Sequence, residues 1–177
     1  PPFPLYPGEE LLDISPLRVV PAQHALRLEA ARDFTDESGI KRIAGDVWQF
    51  LGPATYVPRV EVKILAEIAA TIVEKGSALR LSAKQHLIDC DGVERQAGEE
   101  WLMRHDGAYL PNVHEIIEAE IEPLVLTLTT AIHLRALRTF TDGAGVQRLA
   151  GEEWVLTRAD CSDYLLGVDE EVLNHSL

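Results

Sequence analysis

The chain repeats itself at a fixed interval. Its three tryptophans, Trp48, Trp101 and Trp154, are separated by 101 − 48 = 53 and 154 − 101 = 53 positions. Each of them ends a version of one motif, which reads AGDVW, AGEEW and AGEEW. The same shift aligns further residues of the chain: Gly45, Gly98 and Gly151; Asp36, Asp89 and Asp142; Gly39, Gly92 and Gly145; Arg42, Arg95 and Arg148. The sequence therefore consists almost entirely of three tandem copies of one unit.

Each copy has the alternation of apolar and polar side chains that is typical of β-strands. Residues 79–83 read Leu-Arg-Leu-Ser-Ala, and residues 132–136 read Ile-His-Leu-Arg-Ala. A period of two places the apolar side chains on one buried face. Residues 60–65 predict another strand, and we interpret residues 112–121 as its counterpart in the next copy. We therefore predict an all-β fold, a tandem array of three small antiparallel β-sheet repeat domains in an elongated chain.

An Asp-x-x-Gly segment follows the first strand of each copy. Its aspartate can accept hydrogen bonds from the backbone ahead of it, and its glycine can adopt a positive φ. This predicts a tight turn from which a short strand returns at residues 40–43, 93–96 and 146–149. The glycine of the Ala-Gly pair then allows the backbone to bend before the strand that carries the tryptophan. We expect the tryptophan to be an anchor of the core.

The repeats set the predicted domain boundaries. We expect residues 1–15 to be the tail of a preceding repeat, followed by repeats at 16–68, 69–121 and 122–177. A unit of this size is close to the lower limit for a core that is stable by itself. Each copy is therefore expected to gain stability by packing on its neighbours.

The charge and the cysteine content argue against several classes of function. The net charge is 16 − 29 = −13, which repels nucleic-acid phosphates and anionic membrane surfaces. We therefore expect no direct nucleic-acid contact and no membrane binding by this segment. Cys90 and Cys161 lie far apart, and we interpret both as reduced thiols of a cytosolic protein. No signal peptide is recognisable, and the opening PPFPLYPGEE without Met suggests a piece of a longer protein.

The adjacent carboxylates Glu99 and Glu100 are the strongest candidates for catalysis. Paired carboxylates are what glycoside hydrolysis requires. Neighbouring residues on a strand, however, point to opposite faces, and the pair recurs at the repeat interval as Glu152 and Glu153. We therefore interpret these residues as solvated turn or strand-edge residues and predict no catalytic site.

Other signals for a bound ligand are weak. Aligning Gly92 of the DCDG segment with the invariant glycine of an EF-hand puts Leu87 and Gly98 at two ligand positions, so a hairpin turn is favoured over a calcium loop. Weak ion binding by the acidic turns stays open. The histidines lack metal-ligand spacing, and no nucleotide-binding motif is present. We predict no metal and no cofactor, and we favour packing over carbohydrate or base stacking for the tryptophans.

These motifs resemble the N-terminal repeat region of the major vault protein family. The similarity covers essentially the whole chain and keeps one order of motifs. The motifs are PFPLYPGE (2–9), DISPLRVV (13–20), ALRLEAARDF (25–34), AGDVW and GPATYVP (44–58), ALRLSAK (78–84), GEEWLMR and GAYLP (98–111), AIHLRAL (131–137) and GEEWVLT (151–157). No residue of these motifs is catalytic in the family.

The resemblance implies a structural function. Many copies of the full protein would stand side by side and form the wall of the hollow cytoplasmic vault ribonucleoprotein particle, with these repeats near its waist. The partner would be the protein itself, through lateral contacts, and the location would be cytoplasmic with a minor nuclear fraction. As an alternative, the resemblance implies a protein-binding module that docks the vault-associated poly(ADP-ribose) polymerase on the inner wall.

Overall fold

The computed structural model of the protein describes residues 4–11 and 14–176, with side chains as far as residue 173. Residues 1–3, 12 and 13 of the predicted tail, and residue 177 of the predicted third repeat, lie outside the described part. The chain divides into two compact units, residues 1–70 and 71–177. All regular structure in the described part is β-strand, and none of it is a helix able to span a bilayer.

The first unit contains seven strands in three antiparallel sheets. The strands are β1 (Arg18–Val20), β2 (His24–Ala30), β3 (Phe34–Thr35), β4 (Lys41–Arg42), β5 (Val47–Leu51), β6 (Ala54–Tyr56) and β7 (Val62–Ala69). Strand β2 lies between β5 and β7 in a three-stranded sheet, while β1 pairs with β6 and β3 pairs with β4. The two-stranded β3–β4 hairpin holds the Asp-x-x-Gly turn.

The second unit contains this arrangement twice. Its first set is β8 (Thr71–Val73), β9 (Ala78–Ala83), β10 (Leu87–Ile88), β11 (Glu94–Arg95), β12 (Glu100–Met103), β13 (Gly107–Tyr109) and β14 (Glu115–Ile121). Its second set is β15 (Leu124–Val125), β16 (Ala131–Ala136), β17 (Phe140–Thr141), β18 (Gln147–Arg148), β19 (Glu153–Thr157), β20 (Asp163–Tyr164) and β21 (Glu170–Ser176). Strands β9 and β16 are the central strands of the two three-stranded sheets. The predicted all-β array of antiparallel sheets is confirmed.

The central strand of each three-stranded sheet supplies the core. In β9, Leu79 and Leu81 are fully buried and pack with Trp101 and Met103. The corresponding pairs are Leu26 with Leu28 in β2 and Ile132 with Leu134 in β16. Burying one such side chain contributes about 1.5–3 kcal/mol, so a few residues per repeat provide most of its hydrophobic stabilisation.

A bulge at the same place interrupts each three-stranded sheet. The register shifts between Arg27 and Leu28 in β2, between Arg80 and Leu81 in β9 and between His133 and Leu134 in β16. One extra residue on the third strand, Leu65 or Glu118 in the first two cases, is left out of the pairing. A bulge increases the local twist of a strand and bends it. The periodicity of the sequence does not reveal the extra residue, because it disturbs the alternation at only one position.

The strands that return from the Asp-x-x-Gly turns are shorter than the sequence predicts. The strands predicted at 40–43, 93–96 and 146–149 contain only two residues each. Their flanking amides bind side chains instead of a partner strand: the Val93 N–H, for example, donates to the Asp89 carboxylate. The strand predicted at 60–65 begins at Val62, after a turn in which the Val62 N–H donates to the Arg59 carbonyl. Residues 112–121 are confirmed as a strand from Glu115 onward.

A repeated Asp–Arg–Trp cluster as the candidate functional site

The aspartate of each Asp-x-x-Gly turn organises the loop around its carboxylate. Asp89 Oδ1 accepts hydrogen bonds from the N–H groups of Asp91 at 2.9 Å and Val93 at 2.8 Å. Gly92 takes φ +78°, a conformation that side chains rarely adopt. Asp36 and Asp142 accept bonds from the equivalent amides, and Gly39 and Gly145 take the same backbone conformation. The carboxylate of one side chain thus accepts hydrogen bonds from two turn amides. These amides have no partner in the hairpin, because each of its strands has only two residues.

An arginine connects this turn to the three-stranded sheet. Arg95 Nε donates to Asp89 Oδ2 at 2.8 Å, and its Nη1 donates to Glu99 Oε1 at 2.7 Å. Its guanidinium carbon lies 5.0 Å from the centre of the Trp101 ring. The Asp89 side chain is fully buried beneath these contacts. The arginine therefore ties together the turn, the bend and the tryptophan.

The other two repeats contain the same cluster. Arg148 binds Asp142 and Glu152 and stacks on Trp154 at 4.6 Å. Arg42 binds Asp36 and stacks on Trp48 at 4.6 Å. In the first repeat an aspartate, Asp46, replaces the glutamate, and its carboxylate accepts the Ile43 N–H at 2.8 Å. Here we call the aspartate, arginine and tryptophan of each repeat the turn cluster.

The glycines of the Ala-Gly pair form the bend that the sequence predicts for them. Gly98 takes φ +81°, and its N–H donates to the Ala83 carbonyl at 2.8 Å. Gly45 and Gly151 take φ +94° and +83° and bind the carbonyls of Ala30 and Ala136. The bend returns the chain to the end of the central strand. The tryptophan strand can then pair with it.

The paired glutamates are more firmly held than solvated surface residues would be. Glu99 binds Arg95 and accepts the Gln96 N–H, while Glu100 accepts a bond from Arg80 Nε at 2.7 Å. Each carboxylate is bound to an arginine and its side chain is about a third exposed, at the bend for Glu99 and on the outer strand β12 for Glu100. The two side chains bind different arginines and do not converge on one point. The arrangement offers no acid–base pair for glycoside cleavage.

The tryptophans pack against the cores at different depths. Trp101 is 4% exposed and belongs to the core of its repeat. Trp48 and Trp154 are half-buried and pack against their cores from the side. Each of these two also has a tilted phenylalanine neighbour, Phe34 or Phe140, about 6 Å away. The arginines cover the rings, which are therefore not open stacking platforms.

The surroundings of Asp89 and Glu99 favour the ionised form of both carboxyl groups. Burial opposes ionisation of Asp89, but hydrogen bonds from Val93, Arg95 and Asp91 outweigh it and hold the pKa of this carboxyl below its ordinary value. The hydrogen bond from Arg95 lowers the pKa of Glu99 as well. Both carboxylates therefore stay charged and paired at neutral pH. They are stabilising groups rather than groups poised for proton transfer.

The described residues contain no group of three or more His, Cys, Asp or Glu side chains that could hold a metal ion. His86 pairs with Glu94 at 2.6 Å. His105 Nε2 donates to Asp91 Oδ1 at 2.7 Å, and this contact raises the pKa of His105. Cys90 and Cys161 are both free thiols.

A tyrosine–glutamate contact in two repeats was missed by the sequence reasoning. Tyr109 Oη donates to Glu115 at 2.6 Å, and the same carboxylate accepts the Asn112 N–H at 2.8 Å. Tyr164 and Glu170 repeat the contact at 2.7 Å. Burial and the neighbouring carboxylates raise the pKa of both tyrosines far above the ordinary value. The sequence contains a spacing that could have predicted this contact, because in both repeats the glutamate follows the tyrosine by six positions.

The comparisons with known proteins agree with the three-fold arrangement. A family model described as the Major Vault Protein repeat domain matches residues 18–59, 71–112 and 124–166. The chain belongs to this family. It is 51% identical over 173 residues to the major vault protein of Homo sapiens, 47% identical over 173 residues to that of Danio rerio, and 48% identical over 177 residues to major vault protein beta of Dictyostelium discoideum.

These alignments cover nearly all of this chain but a small part of each relative. They include 97% of this chain and 19%, 20% and 21% of the respective human, zebrafish and Dictyostelium proteins. The chain therefore spans about a fifth of the length of the curated relatives that it matches. Each vault repeat match begins at or beside the first strand of its set and includes one turn cluster. The predicted outer boundaries of the repeats, at 15/16, 68/69 and 121/122, stay predictions.

We expect Asp89→Asn to destabilise the second vault repeat. An amide cannot accept both backbone N–H groups and Arg95 equally well, so the loss should be about 1–3 kcal/mol at neutral pH. Because the folded-state pKa of Asp89 is lowered, its stabilisation is complete above the unfolded pKa of about 3.9 and is lost as the pH falls through the folded value. Urea unfolding at pH 7 and pH 3.5 should therefore show a smaller acid loss in the variant.

Asp91→Asn is the matched control for this experiment. It makes the same charge change in the same turn, but the Asp91 side chain is about half exposed and its partner is the exposed His105. Its effect should stay within about 0.5 kcal/mol. Equal losses in the two variants would contradict the assigned role of Asp89.

Tyr109→Phe should also destabilise the second repeat, by about 1–3 kcal/mol, because it removes a donor from the buried Glu115 carboxylate. The equivalent Tyr56→Phe in the first repeat should be neutral or slightly stabilising, because the Tyr56 hydroxyl is buried without a hydrogen-bond partner. Hydrogen exchange of the amides of β9 and β2 reports the stability of each repeat separately. A loss in β2 as large as that in β9 would disprove the distinction.

Proposed function

We propose that this chain is a wall segment of a vault-type shell and that it packs side by side with other copies of itself. Membership of the vault repeat family supports a structural role. The observation that carries the lateral contact is an exposed β-branched residue in the first strand of every repeat, which is more exposed than the other recurring set, Ile40, Val93 and Val146, at 49%, 46% and 46%. Val19, Ile72 and Val125 are 76%, 60% and 62% exposed.

The strand that carries each of these residues turns its other face to the core. Val20, Val73 and Leu126 follow them directly and are buried. Alternation along the strand therefore points Val19, Ile72 and Val125 away from the repeat. Single exposed apolar residues are ordinary on a protein surface. A residue of this kind at the same position in three successive repeats is what a contact with a parallel, in-register neighbour would require.

Open sheet edges also support lateral packing. The outer strands of each three-stranded sheet, such as β12 and β14, pair on one side only within the described residues. Open edges attract other strands unless charged side chains or bulges protect them. The bulge residue Glu118 lies in one of these edge strands and binds Ser82 at 2.6 Å. Such protection would limit contact between copies to selected positions.

The full-length parent protein provides the test of this proposal. We expect electron microscopy to show barrel-shaped particles for the wild type. Combined substitution of Val19, Ile72 and Val125 by Lys should reduce their number at least several-fold, because repeated lysines would place like charges in a desolvated contact.

Ile88→Lys with Leu128→Lys is the control. These residues are also exposed, at 64% and 94%, but the equivalent positions in the other repeats carry polar or small side chains. The control should form particles normally. Absence of particles from the wild-type protein would refute the shell function, and normal assembly of the triple variant would refute this surface.

The second candidate function is docking of the vault-associated poly(ADP-ribose) polymerase on the inner face of the wall. Its support is the family relationship. A pull-down with the C-terminal region of that partner should retain this chain, and no retention would argue against docking here. For the cellular location we propose the cytoplasm with a minor nuclear fraction.

A further inference from the structure

The first repeat differs from the other two at its tyrosine. Tyr56 is 7% exposed, and its hydroxyl has no hydrogen-bond partner. Tyr109 and Tyr164 donate to Glu115 and Glu170, but the residue six positions after Tyr56 is Val62. A buried hydroxyl without a partner costs about 1–3 kcal/mol. It therefore requires an explanation in a fold that satisfies the same group twice elsewhere.

A second exchange accompanies the missing carboxylate. The residue three positions after the tyrosine is Asn112 in the second repeat and Gly167 in the third, but it is Arg59 in the first. The first repeat thus has an arginine at position 59 and no carboxylate at position 62, although Glu61 in the same turn lies 3.8 Å from Arg59 Nε. Burial raises the pKa of Tyr56; the Arg59 charge opposes this rise, and the Glu37 charge adds to it.

A half-open cavity of about 260 Å³ lies at this place. We call it the first-repeat pocket; its lining includes Phe34, Arg42, Trp48, Tyr56, Arg59 and Val62. The cavity is smaller than the roughly 300–1,000 Å³ typical of sites for drug-sized ligands. It is large enough for one side chain. The Arg59 guanidinium stacks over the Phe34 ring at 5.2 Å, and its side chain is about a third exposed.

We propose that the first-repeat pocket binds the carboxylate of a single aspartate or glutamate in an extended segment of a partner protein. The incoming carboxylate supplies the hydrogen-bond acceptor that Glu115 and Glu170 provide in the other repeats and that Val62 cannot provide. It accepts a hydrogen bond from Tyr56 and pairs with Arg59, whose existing contact with Glu61, at 3.8 Å, is longer than a hydrogen bond. Because the Tyr56 hydroxyl is shielded from solvent, the partly exposed Arg59 side chain moves as the ligand enters.

The other charges of the pocket restrict the partner. Arg42 is already bound to Asp36 at 3.1 Å and stacked on Trp48, so it contributes little further attraction. Glu37 also lines the cavity. Its charge repels a second acidic residue, so the pocket favours one carboxylate among uncharged neighbours over a polyacidic run.

The probe for the test is the blocked tripeptide acetyl-Gly-Glu-Gly-amide, titrated into the complete 177-residue chain. We expect saturable changes in the NMR signals of the Tyr56 and Arg59 side chains. The glutamine version of the tripeptide should give no such changes, and sodium acetate should bind more weakly than the glutamate peptide. Equal effects of the glutamate and glutamine peptides would overturn the proposal, and acetate binding as tight as the peptide would overturn the preference for a protein segment.

Three variants separate binding from folding. Val62→Glu supplies the internal carboxylate of the other repeats and should abolish peptide binding, whereas Val62→Gln has nearly the same volume and should retain it. Arg59→Asn, at a side chain that is about a third exposed, should weaken binding about tenfold or more, since a charged hydrogen bond is lost. Unchanged peptide affinity in both Val62→Glu and Arg59→Asn would refute the site. Particle assembly is measured independently, so the shell function and this pocket can fail separately.

Discussion

The contact on which each repeat depends is the ion pair between the turn aspartate and the arginine six positions later. Asp89 is completely enclosed, and it is paired by Arg95 and two backbone amides. A buried charge is tolerated only when it is paired and hydrogen-bonded in this way. The arginine also covers Trp101, so one side chain joins the hairpin to the sheet. In units with so few buried leucines, this connection makes the hairpin part of the folded repeat.

The three repeats keep this cluster and vary around it. Glu152 repeats the role of Glu99 beside its arginine, whereas Asp46 in the first repeat binds only the neighbouring turn amide among the contacts described. The tyrosine contact varies more, because Val62 replaces a buried glutamate. Repeat proteins can change one unit without disturbing the others, since each contacts only its neighbours. The constant cluster therefore preserves the fold, and the variable positions are where individual repeats can acquire different surfaces.

These features favour a structural role in assembly over a catalytic role. The carboxylates of the turn clusters are held in their charged form by arginines and amides, whereas an acid–base catalyst requires a pKa near the working pH. Among the exposed apolar residues, Val19, Ile72 and Val125 recur on the first strand of each repeat. A chain that presents the same surface at regular intervals is suited to contact another copy of itself in register. The family relationship points in the same direction.

The sequence by itself determined the repeat, the all-β class and the position of each turn. Two facts made this possible: the spacing of the tryptophans is invariant, and turn formation depends on local residues such as Asp89 and Gly92. The bulges in the third strands were not predictable, because one unpaired residue such as Leu65 leaves little trace in a short pattern. Only the tertiary structure decided the partners of the glutamates and the tyrosines. The arginine that binds Glu100 lies twenty positions away on a paired strand, and the unpaired hydroxyl of Tyr56 is defined by packing around it, which no spacing records.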